Sequence, residues 1–177
     1  MINIHEKTLK DLEFFTVLKQ VSEHCSTELG RDAALGILPF PTVEQIQLEL
    51  RYVNEYLSSF QNENRIPNHG FDAITKELKL LKIENTYLEV PSLQKLVSIS
   101  LTVNSILKFL EKFEEYYPNL YQQNNSIEVT TALIDQVDAV VDRFGEIKDD
   151  ASPTLSELRK SINQLKTKIN SSFTSAL

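Results

Sequence analysis

The sequence predicts an all-α fold, an elongated helical bundle that ends in a long projecting helix of the coiled-coil type. Glycine and proline, the residues least compatible with helix interiors, are scarce, at 4 and 6 of 177 residues. Apolar residues recur at three- and four-residue spacing in most segments, which is the pattern of one face of a helix. The last such pattern continues from Pro153 to Leu177 without glycine or further proline.

Composition and charge limit the function classes. Hydrophobic residues make up 41% and charged residues 24%, which is typical of one globular unit and argues against wholesale disorder. The net charge of −7 argues against a domain-wide nucleic-acid surface, because phosphate binding requires a local excess of Lys and Arg. The single cysteine, Cys25, excludes an internal disulfide and favours a reducing compartment. With no apolar run of membrane length and no signal-peptide core, we expect a cytoplasmic protein.

The first sixty residues predict short helices followed by a longer one. Residues 6–25 are expected to be helical with a kink at Phe14-Phe15, and Ser26 is expected to cap a short helix over residues 27–35. Thr42-Val43-Glu44-Gln45 has the form of a capping box and begins a helix that runs to about residue 61. Six apolar residues at strict three- and four-residue spacing are predicted to face inward on it: Val43, Ile46, Leu50, Val53, Leu57 and Phe60.

The middle of the chain predicts a short helix over residues 71–81 with Phe71 inward, and a long helix from Pro91 to about residue 116. The wide apolar stripe of the long helix indicates a position in the middle of a bundle. Residues 121–126 are predicted as a loop, and residues 127–141 as a helix with Val129, Leu133 and Val137 inward.

No residue pattern indicates catalysis or a metal site. The motifs G-x-x-x-x-G-K-[ST], G-x-S-x-G, H-E-x-x-H and C-x-x-C are all missing from the 177 residues. Asp135, Asp138 and Asp142 share one side of a predicted helix, but exposed helical acids are far commoner than cation sites. His24 and Cys25 are adjacent, and neighbouring helical side chains diverge by about 100°. We therefore predict no catalytic, cofactor-binding or metal residue.

The final segment predicts a long C-terminal helix, around which the rest of the chain is organised. Residues 144–148 indicate a short turn or extended crossing, after which Ser152 suits an N-cap and Pro153 the first helical position. A helix from there to the end is roughly 37 Å long. Its apolar residues form a coiled-coil seam: Leu155, Leu158, Ile162, Leu165 and Ile169. Full burial of this seam contributes at most about 10 kcal/mol, so we expect it to have a partner and the chain to be a piece of a larger protein.

The predicted outer faces of the same helix carry four basic side chains and a single acidic one, Glu157. The basic side chains are candidates for nucleic-acid contact, although a solvated helix face is the commoner explanation of such a charge run. The four residues are Arg159, Lys160, Lys166 and Lys168.

Three segments resemble a known family. They are Glu6-Lys7-Thr8-Leu9 with Leu12-Glu13-Phe14, the run Ser26-Thr27-Glu28-Leu29-Gly30-Arg31, and above all Gly145-Glu146-Ile147-Lys148-Asp149-Asp150-Ala151-Ser152-Pro153. Together they resemble the N-terminal part of a bacterial MutS-family ATPase, of the second MutS paralogue type that suppresses recombination and rescues ribosomes. The resemblance covers nearly the whole chain and is looser between Asn62 and Gln123.

The resemblance implies two parts. Residues 1–150 would be a helical core or lever domain, and residues 151–177 the first part of the outgoing helix of a coiled-coil clamp. The parent would be an ATPase that uses ATP and Mg, with a possible C-terminal nuclease domain, and would form a homodimer. Its lever would couple nucleotide state to clamp movement around branched or mismatched DNA, or on collided ribosomes. The returning clamp arm and the ATPase domain of the same chain would be the partners of this segment, which would not itself be an enzyme.

A second hypothesis belongs to a different class. The chain would then be a stand-alone helical module that binds a protein partner through the exposed seam of its last helix. The two hypotheses differ in whether the reading frame continues into a second coiled-coil arm and a phosphate-binding loop.

Overall fold

A computed structural model describes residues 4–176, and their side chains as far as Ser172. The described residues form nine helices and no strand, so the predicted all-α class is confirmed. In chain order the helices are α1 (Glu6–Asp11), α2 (Phe14–Glu23), α3 (Glu28–Leu35), α4 (Val43–Ser58), α5 (Thr75–Leu80), α6 (Val90–Lys112), α7 (Pro118–Asn124), α8 (Ala132–Val140) and α9 (Pro153–Ala176).

The N-terminal helices follow the predicted kink. Glu13 has a left-handed backbone, with φ of 53°, and separates α1 from α2. The predicted cap of α3 was wrong by one residue, since Thr27 and not Ser26 caps the helix. Thr27 is extended, and its Oγ1 accepts a hydrogen bond from the Gly30 backbone N–H at 3.0 Å. This extended backbone is the geometry that an N-cap requires.

Helix α4 begins as predicted, because Thr42 Oγ1 accepts a hydrogen bond from the Gln45 backbone N–H at 3.3 Å. The prediction that its six regularly spaced apolar residues face inward was wrong. All six, from Val43 to Phe60, are between 41% and 61% exposed. The opposite face is buried instead, at Glu55 and Ser59. The reason is tertiary, since this polar face packs against α7.

Helix α5 begins at Thr75, four residues after the predicted start. Phe71 and Ile74, which precede the helix, are half-buried. Leu78 and Leu81, which the same spacing predicted to face inward, are 47% and 57% exposed, so that part of the prediction was wrong. Helix α6 ends at Lys112, and the predicted loop over residues 121–126 was partly wrong because α7 occupies Pro118–Asn124. Proline at the first position of α7 favours a helix start there.

The predicted helix over residues 127–141 was wrong in its first part. The buried side chain of Asn104 pairs with the backbone of Thr130: its Nδ2 donates to the carbonyl oxygen, and its Oδ1 accepts from the N–H, each at 2.8 Å. This pairing uses both backbone hydrogen-bonding groups of Thr130, so α8 begins only at Ala132. Val129 is 46% exposed rather than inward, whereas Val137 is buried as predicted.

The core lies mainly along α6, which contacts both α7 and α8. Tyr117, just before α7, is fully buried. Its hydroxyl donates to the carbonyl oxygen of Asn64 at 2.5 Å, and its ring lies 5.5 Å from that of Phe109. The buried apolar residues of the described part are Leu18, Ala34, Leu96, Leu110, Tyr117, Val137 and Val141. Among residues 4–176, none of the helices combines the length and the apolar character that a membrane span requires.

Candidate functional site

The predicted seam of α9 is exposed along its length. Leu158, Ile162, Leu165 and Ile169 are each between 50% and 58% exposed, and Leu155 is half-buried near the helix start. The spacing alternates three and four residues, as in the a and d positions of a heptad. None of the described helices packs closely along α9. The seam is therefore a continuous apolar surface available to a partner helix.

The base of α9 is joined to α8 by a hydrogen-bonded turn, here called the junction (residues 141–149). Val141 and Ile147 form an isolated antiparallel bridge, and the Lys148 N–H donates to the Val140 carbonyl at 2.9 Å. Asp142 donates its N–H to the Glu146 carbonyl at 2.9 Å. The predicted turn or crossing at residues 144–148 is thus confirmed.

The Asp142 carboxylate stabilises the junction from within. Its Oδ1 accepts hydrogen bonds from the N–H groups of Phe144 at 2.8 Å and Glu146 at 2.9 Å. Gly145 completes the turn with φ of 84°, and a Cβ added to it would lie 2.8 Å from Nε2 of Gln94 on α6. The left-handed backbone therefore favours glycine here, whereas the end of the Gln94 side chain could move aside.

Arg159 ties the second turn of α9 to the junction. Its Nη1 donates to the carbonyl oxygen of Ile147 at 3.1 Å and forms an ion pair with the Asp149 carboxylate. One turn earlier, Ser152 Oγ accepts from the Leu155 N–H at 3.2 Å, which confirms the predicted cap. The placement of Arg159 on an outer face was wrong, because the side chain turns back towards the helix base. The sequence signal for the contact with Arg159 was Asp149, an acidic residue three positions before the N-cap residue Ser152.

The other three predicted basic residues, Lys160, Lys166 and Lys168, are exposed. In heptad terms Lys166 and Lys168 occupy e and g positions, which flank the seam on either side. They could therefore meet either an acidic partner helix or a phosphate backbone. Arg159 is set apart from them by its contacts to the junction, and its role as a nucleic-acid contact stays a prediction.

Three other polar side chains have structural contacts. Asp142 caps the junction turn, and the Cys25 thiol donates to the Val21 carbonyl at 3.5 Å. His69 contacts the Tyr56 hydroxyl and the Pro67 carbonyl oxygen, each at 3.2 Å. Across residues 4–176, no group of three or more His, Cys, Asp or Glu side chains is arranged to hold a metal ion.

Comparison with curated proteins finds relatives named endonuclease MutS2. The chain is 26% identical to an endonuclease MutS2 of Alkaliphilus oremlandii over 98% of its own length and 22% of the relative. It is 28% identical to the Lactobacillus helveticus endonuclease MutS2 over 88% of its length and 20% of the relative. A putative endonuclease MutS2 of Bacillus subtilis is 23% identical over 98% of the chain and 22% of the relative.

These relatives place the chain in a class, that of MutS-like proteins. More particularly, it is a MutS2-like chain, and the predicted resemblance is confirmed. The chain spans about a fifth of the length of the curated relatives it matches. No protein-family model matches it.

Proposed function

We propose that this chain is a non-catalytic mechanical segment of a MutS2-like DNA-repair and recombination ATPase. Residues 1–150 act as a helical core or lever, and residues 151–177 form the first part of an outgoing clamp helix. The segment couples nucleotide state in an ATPase domain to movement of the clamp around branched or mismatched DNA, or on collided ribosomes. One observation carries the proposal: α9 is fixed at its base and exposed along its seam.

The junction makes α9 suitable as a clamp arm that the lever domain moves. Backbone bonds join the junction to the end of α8, the Gln94 side chain of α6 lies beside Gly145, and Arg159 bonds the second turn of α9 back to the junction. A rotation of α6 and α8 is therefore carried into the direction of α9. The 24 residues of this helix extend roughly 36 Å, so a small rotation at the base becomes a displacement of several ångströms at its far end.

The seam indicates the chemistry of its partner. Because Lys166 and Lys168 flank it, a returning helix with acidic e and g residues would pair with it most favourably. We assign this role to the returning clamp arm of the same polypeptide, within a parent that forms a homodimer. The lysines that the returning arm leaves uncovered would contact DNA phosphates. The parent would work in the cytoplasm, the compartment that the single cysteine favours.

ATP and Mg would bind in another part of the parent. The four glycines of the chain, Gly30, Gly36, Gly70 and Gly145, do not occur in a phosphate-binding loop followed by lysine. The residues present thus do not fit a nucleotide, and no catalytic step is assigned to them. The nuclease activity in the names of the relatives is likewise assigned to the parent and not to these residues.

Two measurements test the proposal. The reading frame should continue beyond codon 177 into a second amphipathic helix of matching length and a G-x-x-x-x-G-K-[ST] motif. The purified 177-residue chain should hydrolyse ATP no faster than a mock preparation. ATP turnover by the chain alone would contradict the non-catalytic role. A frame without the second arm and motif would favour the stand-alone interaction module, whose exposed seam would then bind a separate protein.

A further inference from the structure

Glu77 of α5 is a buried carboxylate that lacks hydrogen-bond donors. The residue is 7% exposed, and its Oε2 has no hydrogen-bond partner in the described part of the chain. Its Oε1 lies 3.6 Å from Nζ of Lys95 on α6, an ion-pair distance that is too long for a hydrogen bond. Because a buried carboxylate is stable only when donors satisfy its oxygens, Glu77 lacks the partners that its burial requires.

Glu77 lines a pocket that lies between α3 and the segment containing α5, here called the Glu77 pocket. Its volume is about 510 Å³, which is within the range of small-ligand sites. Three more carboxylates line it: Glu28 and Asp32 from α3, and Asp72 from the residues just before α5. The Glu77 pocket thus combines an unsatisfied buried carboxylate with three acidic neighbours.

The lysines that line the Glu77 pocket do not supply the missing donors. Lys76 and Lys79 are exposed, and among the side chains of residues 4–172 neither forms an ion pair. The side chain of Lys95 is 44% exposed, so water solvates its ammonium group. Its distance from Glu77 leaves both carboxylate oxygens available as acceptors for a further cation.

The acceptors favour a guanidinium group over an ammonium group or a metal ion. A guanidinium carries its N–H donors in a planar fork, and two of them can bond both oxygens of one carboxylate at once. An ammonium such as that of Lys95 is a strongly hydrated point charge and does not match this geometry. Within the described residues, the acids of the Glu77 pocket are not arranged as metal ligands.

We infer that the Glu77 pocket binds a guanidinium group, held by a two-bond ion pair with the Glu77 carboxylate. The group belongs either to an arginine side chain of the same polypeptide outside these 177 residues or to a free small molecule. Both sources present the same donors, so the experiment distinguishes them. The inference goes beyond the proposed function and does not depend on it.

Methyl NMR with methylguanidinium as the probe tests the inference. Leu29 lines the Glu77 pocket, so its methyl signals report occupancy, and those of Leu165 on α9 are the internal control. Methylguanidinium should shift the Leu29 signals with half-saturation at about one millimolar, and methylammonium should require at least about tenfold more. Glu77→Gln should weaken methylguanidinium binding by at least about tenfold. Glu84→Gln, the same charge change at an exposed position outside the pocket, should leave it unchanged.

A Leu29 signal that does not shift, or that shifts equally in the Glu77→Gln variant, would overturn the inference, because water alone would then satisfy the carboxylate. Equal binding of the two probes to the unsubstituted chain would also overturn it, and this comparison does not require the variant to fold. The polypeptide of the whole reading frame distinguishes the sources. A Leu29 signal already at its bound position and insensitive to the probe identifies an arginine of that polypeptide, and a responsive signal identifies a free guanidinium compound.

Discussion

At the scale of single residues, Glu55 shows how one buried carboxylate can start a helix. Its oxygens accept hydrogen bonds from the Asn119 N–H at 3.0 Å, the Leu120 N–H at 2.9 Å and the Asn119 side-chain amide. These backbone groups belong to the first turn of α7, where helical N–H groups have no partner within the helix. Helix α7 has only seven residues, too few to be stable in isolation. It therefore depends on tertiary contacts, with α4 through Glu55 and with α6.

Replacing Glu55 should expose this dependence. Glu55→Ala leaves the α7 donors buried without an acceptor and should lower the free energy of unfolding by about 2–4 kcal/mol. Glu49→Ala, on the exposed side of the same helix, should change it by less than about 0.5 kcal/mol. Urea denaturation followed by circular dichroism measures both. Similar effects of the two substitutions would contradict the assigned role of Glu55.

Gly145 is the second residue whose identity matters, because its backbone is left-handed. Gly145→Ala should lower the free energy of unfolding by about 1–2 kcal/mol, since this backbone conformation disfavours a Cβ, while the end of the Gln94 side chain can move aside. Gly70 provides the matched control, since its φ is outside the left-handed region and the nearest atom to an added Cβ is 3.4 Å away. Gly70→Ala should be nearly neutral in the same urea experiment. A junction that tolerates alanine would contradict the strain expected from the left-handed backbone at Gly145.

At the scale of elements, α9 has a fixed base and an uncovered seam. Arg159→Ala removes the hydrogen bond to the Ile147 carbonyl and the ion pair with Asp149. The ion pair contributes little stability by itself, because the Asp149 side chain is 80% exposed. Backbone amides at the start of α9 should exchange about fivefold faster with deuterium, corresponding to about 1 kcal/mol. Lys160→Ala, on the neighbouring exposed position, should leave exchange unchanged. The prediction fails if both variants exchange alike.

The seam itself should contribute little to stability within this chain. Leu165 is 58% exposed, whereas Leu110 in α6 is 3% exposed. Leu165→Ala should therefore change the free energy of unfolding by less than about 0.5 kcal/mol, and Leu110→Ala should lower it by about 2–5 kcal/mol. Thermal or urea unfolding compares the two variants. A large effect at Leu165 that depends on protein concentration would show that copies of the chain pair through the seam.

At the scale of the whole molecule, the charge distribution separates one basic helix from an acidic chain. The net charge is −7, yet the described part of α9 carries four basic residues against Glu157 alone. We expect the chain to bind a branched DNA weakly at about 50 mM salt and to lose most of this binding at about 200 mM.

The lysines of α9 should account for this binding. Substitution of Lys160, Lys166 and Lys168 by alanine should reduce the slope of log affinity against log salt by about 2–3. A control of equal charge change substitutes the exposed Lys76, Lys79 and Lys82 of the α5 region by alanine, and it should leave the slope almost unchanged. Fluorescence anisotropy with a labelled four-way junction measures both. Tight, salt-insensitive binding would place the contact surface elsewhere.

The sequence by itself determined where most helices begin, because the signals are local. The Thr42 cap, the Ser152-Pro153 start of α9 and the turn before it depend on residues within a few positions of one another. The all-α class and the kinship with MutS2 proteins were also readable from pattern and motif.

Only the tertiary structure decided which face of each helix is covered. Periodicity shows that α4 has an apolar side, but its neighbour α7 packs against the other side. There Glu55 accepts a hydrogen bond from the backbone of Asn119 in α7, which lies sixty-four positions later in the sequence. In the same way, Asn104 holds Thr130 out of a helix from twenty-six positions away. Burial is a property of pairs of elements, and the partner of an apolar surface is not encoded in that surface's own spacing.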